Sequence, residues 1–93
     1  MANEDWTRAE LEVAVDAYRA MRAEGRGVSA TCEALVAGPL SGRSVNAVRR
    51  RLTHVRMVVE ATERGGGPDD VAVVTNVGRG VAAAIAEALG RTR

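Results

Sequence analysis

Apolar residues recur along most of this chain at intervals of three and four, the spacing that places side chains on one face of an α-helix. The pattern is longest in the segment from about 45 to 63, whose stripe consists of Val45, Val48, Leu52, Val55 and Val59. No alternating pattern of comparable length indicates a β-strand, although Val71 to Val74 is short and apolar enough for an extended segment. The sequence therefore predicts an all-α fold.

Start and stop signals set the limits of the helices. Thr7 and Glu10 have the spacing of a capping box, and Trp6 and Leu11 flank it as a hydrophobic staple. Glycines stop the first helix at 25 and 27 and the last at Gly90, while Ser44 and Asn76 are expected N-caps. The predicted helices are about 8–24, 29–37, 45–63 and 77–89.

The 93 residues suffice for one domain, spanning 1–93, with one modest core. The short link from Gly38 to Gly42 joins the second and third predicted helices, which is the outline of a helix-turn-helix unit. We therefore expect a small bundle of four or five helices with such a unit. The last helix is rich in Ala and Gly, so another helix can approach it closely, and oligomerisation through it stays open.

Composition excludes several kinds of active site. One His, one Cys and two aromatic residues cannot supply a catalytic triad, a metal site or a disulfide within the chain. We expect no catalytic residue, no metal, no cofactor and no small-molecule substrate, with Cys32 buried in the core. The longest uncharged apolar stretch is too short to span a membrane. These features favour a cytoplasmic protein.

Charge is unevenly distributed along the chain. Residues 41–56 contain five arginines and no acid, whereas the residues on either side carry a net negative charge. A solvated helix surface usually mixes charges of both signs, so an acid-free basic window indicates a polyanionic partner. Double-stranded DNA is the expected partner.

Rotation by 100° per residue divides helix 45–63 into faces. The residues predicted opposite the apolar stripe are Arg43, Asn46, Ala47, Arg50 and His54, with Arg49 and Arg51 on the flanks. We expect base contacts from Ser44, Asn46, Ala47, Arg50 and His54, and phosphate contacts from Arg43, Arg49 and Arg51. At the start of the last helix, Asn76 and Arg79 form either a phosphate site or an ordinary helix cap.

Three segments carry a family resemblance: D-W-T-R-A-E-L-E-V-A-V-D-A-Y-R-A-M (5–21), L-S-G-R-S-V-N-A-V-R-R-R-L (40–52) and T-N-V-G-R-G-V (75–81). Together they resemble the N-terminal helical DNA-binding domain of McrA-like HNH restriction endonucleases, which cut DNA carrying modified bases. The resemblance implies a reader of 5-methylcytosine at the front of a longer, type IV restriction protein. The loop G-G-G-P-D-D departs from that family, and an HNH motif is absent from the sequence, so the nuclease would reside elsewhere in the parent protein.

Two other functions stay open at this stage. A Myb/SANT or helix-turn-helix transcription regulator would share the basic helix and ignore methylation. A helical adaptor would use the same arginines to bind an acidic protein. If the chain does read 5-methylcytosine, we expect it to do so within an intact duplex, because Trp6 and Tyr18 are both assigned to the first helix and its packing.

Overall fold

The computed structural model describes residues 6–66 and 79–91, and all regular secondary structure in these two stretches is helical. The four helices are α1 (Arg8–Glu24), α2 (Val28–Val36), α3 (Val45–Glu63) and α4 (Arg79–Arg91). The predicted all-α fold is confirmed. The bounds of α1 and α3 agree with the prediction at both ends, and α2 lies one residue earlier at each end.

Local signals determine where α1 begins and ends. The Thr7 hydroxyl accepts the Glu10 N–H at 3.1 Å, and a Glu10 carboxylate oxygen accepts the Thr7 N–H at 2.9 Å, which confirms the capping box. Gly25 ends the helix at φ +70°, a left-handed conformation that side chains with a Cβ rarely adopt. Gly27 has an ordinary φ of −74° and is the N-cap of α2. The prediction that it helps to stop α1 was therefore wrong.

A compact turn connects α2 to α3. The N–H groups of Gly38 and Leu40 both bond to the Leu35 carbonyl, and the Leu40 side chain is buried. Ser44 then caps α3 as predicted, since its hydroxyl accepts the Ala47 N–H at 3.1 Å. The turn thus has its own anchor in the core, and it fixes the position at which α3 begins.

The helix α3 lies at the centre of the fold and packs against α1, α2 and α4. Helix α1 in turn packs on α4 and α2, so that the four helices enclose one core. Cys32 is fully buried, as predicted, and burial raises the pKa of its thiol. The buried apolar residues are Leu11, Ala14, Val15, Tyr18, Cys32, Leu35, Leu40, Val48, Leu52, Val55, Val58, Ala61, Ala82, Ile85 and Ala88.

The end of α4 differs from the prediction. The helix continues through Gly90 to Arg91, so the expectation that Gly90 stops it was wrong. The Arg91 guanidinium pairs with Glu12 of α1 and with Glu87 one turn earlier, and these contacts hold the last turn in place. The predicted start of this helix at 77 and its Asn76 cap lie outside the described residues, as does the segment 71–74. None of the described helices is long and apolar enough to cross a membrane.

Candidate nucleic-acid interface

One side of α3 presents a basic surface to solvent. Asn46, Arg49, Arg50 and Arg56 are exposed there, and Thr53 lies among them, half-buried. These five residues, which we call the basic face, follow helical spacing over about 15 Å of the helix axis. The opposite side of α3 is anchored in the core, so the basic face belongs to a rigid element.

The described residues around the basic face do not neutralise its charge. Arg49 donates a hydrogen bond from Nη2 to the Ser29 hydroxyl of α2 at 3.0 Å, and that partner is uncharged. Within residues 6–66 and 79–91, none of Arg49, Arg50 and Arg56 forms an ion pair. Glu60 marks the C-terminal limit of the basic face, because it is exposed one turn beyond Arg56. Three positive charges therefore face solvent together.

The exposed side of α3 differs from the one that the sequence predicted. Arg43, Ala47 and His54 were expected to be exposed and are partly buried, and the direction of the exposed face is rotated by about 80° around the helix axis. The buried side is wider than the valine and leucine stripe, because Val58 and Ala61 also pack in the core. Arg56, which was not among the predicted site residues, is exposed. Its spacing of seven residues from Arg49 was the signal that could have identified it.

The predicted exposure of Arg51 was wrong. Arg51 was expected on a flank of α3 as a phosphate contact, but only 9% of the residue is exposed. Its guanidinium lies 5.1 Å from the centroid of the Trp6 ring, and the Arg43 guanidinium lies 5.0 Å from the same centroid. Both distances are within the range of cation–π interactions. Trp6 therefore joins the start of α1 to the start of α3 through two arginines, rather than serving only as a hydrophobic staple.

Arg43 is held by an ion pair across the fold. Its Nε and Nη2 donate to the two carboxylate oxygens of Glu10 at 3.0 and 2.7 Å, and both side chains are largely shielded from solvent. The hydrogen bonds from Arg43 are the main reason that the pKa of Glu10 falls to about 2, with help from the Thr7 N–H and against the effect of burial. The expectation that Arg43 is exposed was therefore wrong, and its contact with phosphate stays a prediction. Sequence reasoning had assigned Glu10 to the capping box alone.

His54 is also less accessible than expected. The residue is half-buried, and the guanidinium of Arg51 lies 3.4 Å from its Nδ1. Burial lowers the pKa of His54, and the positive charges of Arg51 and Arg50 lower it further. The imidazole is therefore neutral near pH 7 and adds no positive charge to the surface of α3.

The remaining predicted site residues are dispersed. Asn46, Arg49 and Arg50 come together on the basic face, whereas Ser44 is exposed and uses its hydroxyl as the cap of α3. Arg79 is the first residue of α4, and Asn76 lies outside the described residues. The cluster predicted at the start of the last helix is therefore untested.

A separate groove of about 570 Å³ lies where α1, α3 and α4 meet. Tyr18, Val59 and Leu89 give it an apolar lining, and an ion pair between Arg22 and Glu63 at 2.9 Å lies at its edge. Val59 is about 20 Å along the helix axis from Asn46, so the groove is remote from the first turns of the basic face. Among the residues that the structure describes, no group of three or more His, Cys, Asp or Glu side chains could hold a metal ion.

No family model, curated protein or solved structure matches this chain significantly.

Proposed function

We propose that this protein is a DNA-binding module that inserts α3 into the major groove of duplex DNA. The observation that carries the proposal is the basic face, where three exposed arginines and an asparagine lie on one rigid helix without an ion pair among the described residues. The major groove admits an α-helix, and the phosphates on its two edges attract positive charge. A helix-turn-helix-like use of α2 and α3 belongs to this proposal.

The residues of the basic face divide into two roles. Asn46 and Arg50 lie in the first two turns of α3, where Asn suits adenine and Arg suits guanine in the major groove. Arg49 and Arg56 flank them and are assigned to phosphates. The contact between Arg49 and Ser29 brings the start of α2 next to this surface, so a phosphate bound by Arg49 would lie close to α2 as well.

Reading of 5-methylcytosine is the finer part of the proposal and follows from the family resemblance. Recognition would occur within the intact duplex, with the methyl group against the aliphatic stem of Arg50 or the methyl group of half-buried Ala47. Base flipping requires a pocket with stacking side chains. Tyr18 is buried in the core and the Trp6 ring already contacts two guanidinium groups, which supports recognition without flipping. In this proposal the module directs a type IV restriction endonuclease in the cytoplasm.

The test is fluorescence anisotropy with labelled duplexes that do or do not carry 5-methylcytosine, at one fixed salt concentration. Arg50→Ala should weaken binding to the best duplex by roughly 5- to 150-fold, the loss that corresponds to one bidentate base contact of about 1–3 kcal/mol. Arg22→Ala is the matched control, because it removes the same charge from an exposed arginine of α1 that pairs with Glu63. Equal effects of the two substitutions would contradict the assignment.

Salt dependence and methylation separate the other candidate functions. The two arginines assigned to phosphates, Arg49 and Arg56, predict a slope of roughly −2 in log K against log salt. A flat titration would favour an adaptor for acidic proteins, whereas equal affinity for the two duplexes would favour a regulator that ignores methylation.

A 2-aminopurine placed beside the modified cytosine should remain dim in the complex. A large rise in its fluorescence would refute recognition in the intact duplex.

A further inference from the structure

Arg43 lies close in sequence to the helix that carries the basic face. Its positive charge is already neutralised by the Glu10 carboxylate. Arg43 lies two residues before the first residue of α3, the helix whose first turns carry Asn46 and Arg50. Its guanidinium forms a two-pronged contact with the Glu10 carboxylate, at 3.0 and 2.7 Å. The same fork geometry binds phosphate oxygens, so Glu10 occupies the group that a DNA phosphate would bind.

Glu10 is well placed to keep this hold on Arg43. The capping box fixes its carboxylate through the hydrogen bond from the Thr7 N–H, and only 24% of its side chain is exposed. The Trp6 ring supports the Arg43 guanidinium from one face. A carboxylate that the capping box already holds in place costs less to keep against the guanidinium than a mobile one.

We propose that Glu10 competes with the DNA backbone for Arg43 and thereby lowers the affinity of the module for DNA. The inference rests on the proposed function. This competition would increase sequence specificity, because a module with a weaker backbone contact depends more on its base contacts for tight binding. Removing the charge of Glu10 would then make another cation available to phosphate and raise the affinity for all duplexes.

Glu10→Gln tests this directly, because glutamine also serves in a capping box and retains an oxygen for the Thr7 N–H. One additional phosphate contact predicts an affinity gain of roughly five- to tenfold at about 0.1 M salt, on methylated and unmethylated duplexes alike. The matched control is Glu12→Gln. Glu12 lies on the same helix, is also paired with an arginine, Arg91, and loses the same charge.

The comparison of Glu10→Gln with Glu12→Gln by anisotropy decides the question. A gain confined to Glu10→Gln, and lost when Arg43→Ala is added, supports the proposal. Equal gains in both variants, or a gain that persists without Arg43, would overturn it in favour of a net-charge effect. If circular dichroism shows that Glu10→Gln is unfolded, Glu10→Asp against Glu12→Asp makes the same comparison, because the shorter side chain draws the carboxylate away from Arg43.

The two proposals fail in different ways. If the parent protein binds no duplex at any salt concentration, the proposed function is wrong and this inference falls with it. If the parent binds DNA with the expected salt dependence and Glu10→Gln binds no tighter than Glu12→Gln, only the inference about Glu10 is wrong.

Discussion

Replacing Glu10 with glutamine should cost stability at neutral pH and cost much less in strong acid. The carboxylate makes two hydrogen bonds with Arg43 and one with the Thr7 N–H. Glutamine keeps the shape of the side chain and the cap, but its neutral oxygen cannot form the ion pair. The substitution therefore removes the charge of Glu10 together with one acceptor for Arg43, because an NH2 group replaces one carboxylate oxygen.

The magnitude follows from the pKa of Glu10, which falls from 4.5 to about 2. At about 1.36 kcal/mol per pKa unit, this shift corresponds to about 3 kcal/mol in favour of the folded state at most. The Arg43 and Glu10 side chains are 17% and 24% exposed, so solvent screens part of the interaction. We expect Glu10→Gln to lower the free energy of unfolding at pH 7 by about 1–2 kcal/mol, a loss that a small domain survives.

The sign of the pH dependence is fixed by the direction of the shift. A carboxyl group whose pKa is lowered in the folded state contributes its full stabilisation above its unfolded pKa of 4.5. That contribution is lost as the pH falls from 4.5 through about 2, where the folded carboxylate takes up its proton. The stability of the parent should therefore approach that of Glu10→Gln over this range.

Urea denaturation followed by circular dichroism at pH 7 and near pH 2 measures the difference at both ends of the range. Asp16→Asn is the control, because Asp16 is an exposed acid of α1 and forms no ion pair among the described residues. Its effect should be small at both pH values. A difference between parent and Glu10→Gln that is equally large near pH 2 and at pH 7 would refute the electrostatic reasoning.

Four further predictions concern the core and the helix ends. Leu52→Ala should lower the free energy of unfolding by about 2–5 kcal/mol, because Leu52 is buried in the central helix; an unchanged melting temperature would show that its burial is wrong. Gly25→Ala should destabilise the domain by about 1–2 kcal/mol because φ is +70°. Gly27→Ser should instead add a few tenths of a kcal/mol by capping α2, which lacks a side-chain cap, and thermal melts that rank the two variants the other way would contradict this. Cys32 should react slowly with a thiol reagent in the native protein, since its thiol is buried and its pKa is raised, and rapidly in denaturant; rapid reaction of the native protein would contradict this burial.

The helices could be predicted from the sequence because their limits depend on interactions between close neighbours. The capping box joins Thr7 and Glu10, the Ser44 cap joins residues three apart, and Gly25 acts through its own backbone angle. Apolar spacing gave the all-α fold for the same reason. Part of the basic face was also predictable, since Asn46, Arg49 and Arg50 were expected to be exposed and are exposed.

Only the tertiary structure decided which arginines remain exposed. Arg43 finds its carboxylate 33 residues away, Arg51 lies over Trp6, and Arg91 extends α4 past Gly90 by pairing with a residue 79 positions earlier. Helical spacing describes neighbours within one helix and contains no information about which other helix covers it. The rotation of α3 was set by its packing with three other helices and by the stack on Trp6. Those long-range contacts leave Arg49, Arg50 and Arg56 exposed. They bury Arg51 and partly bury His54.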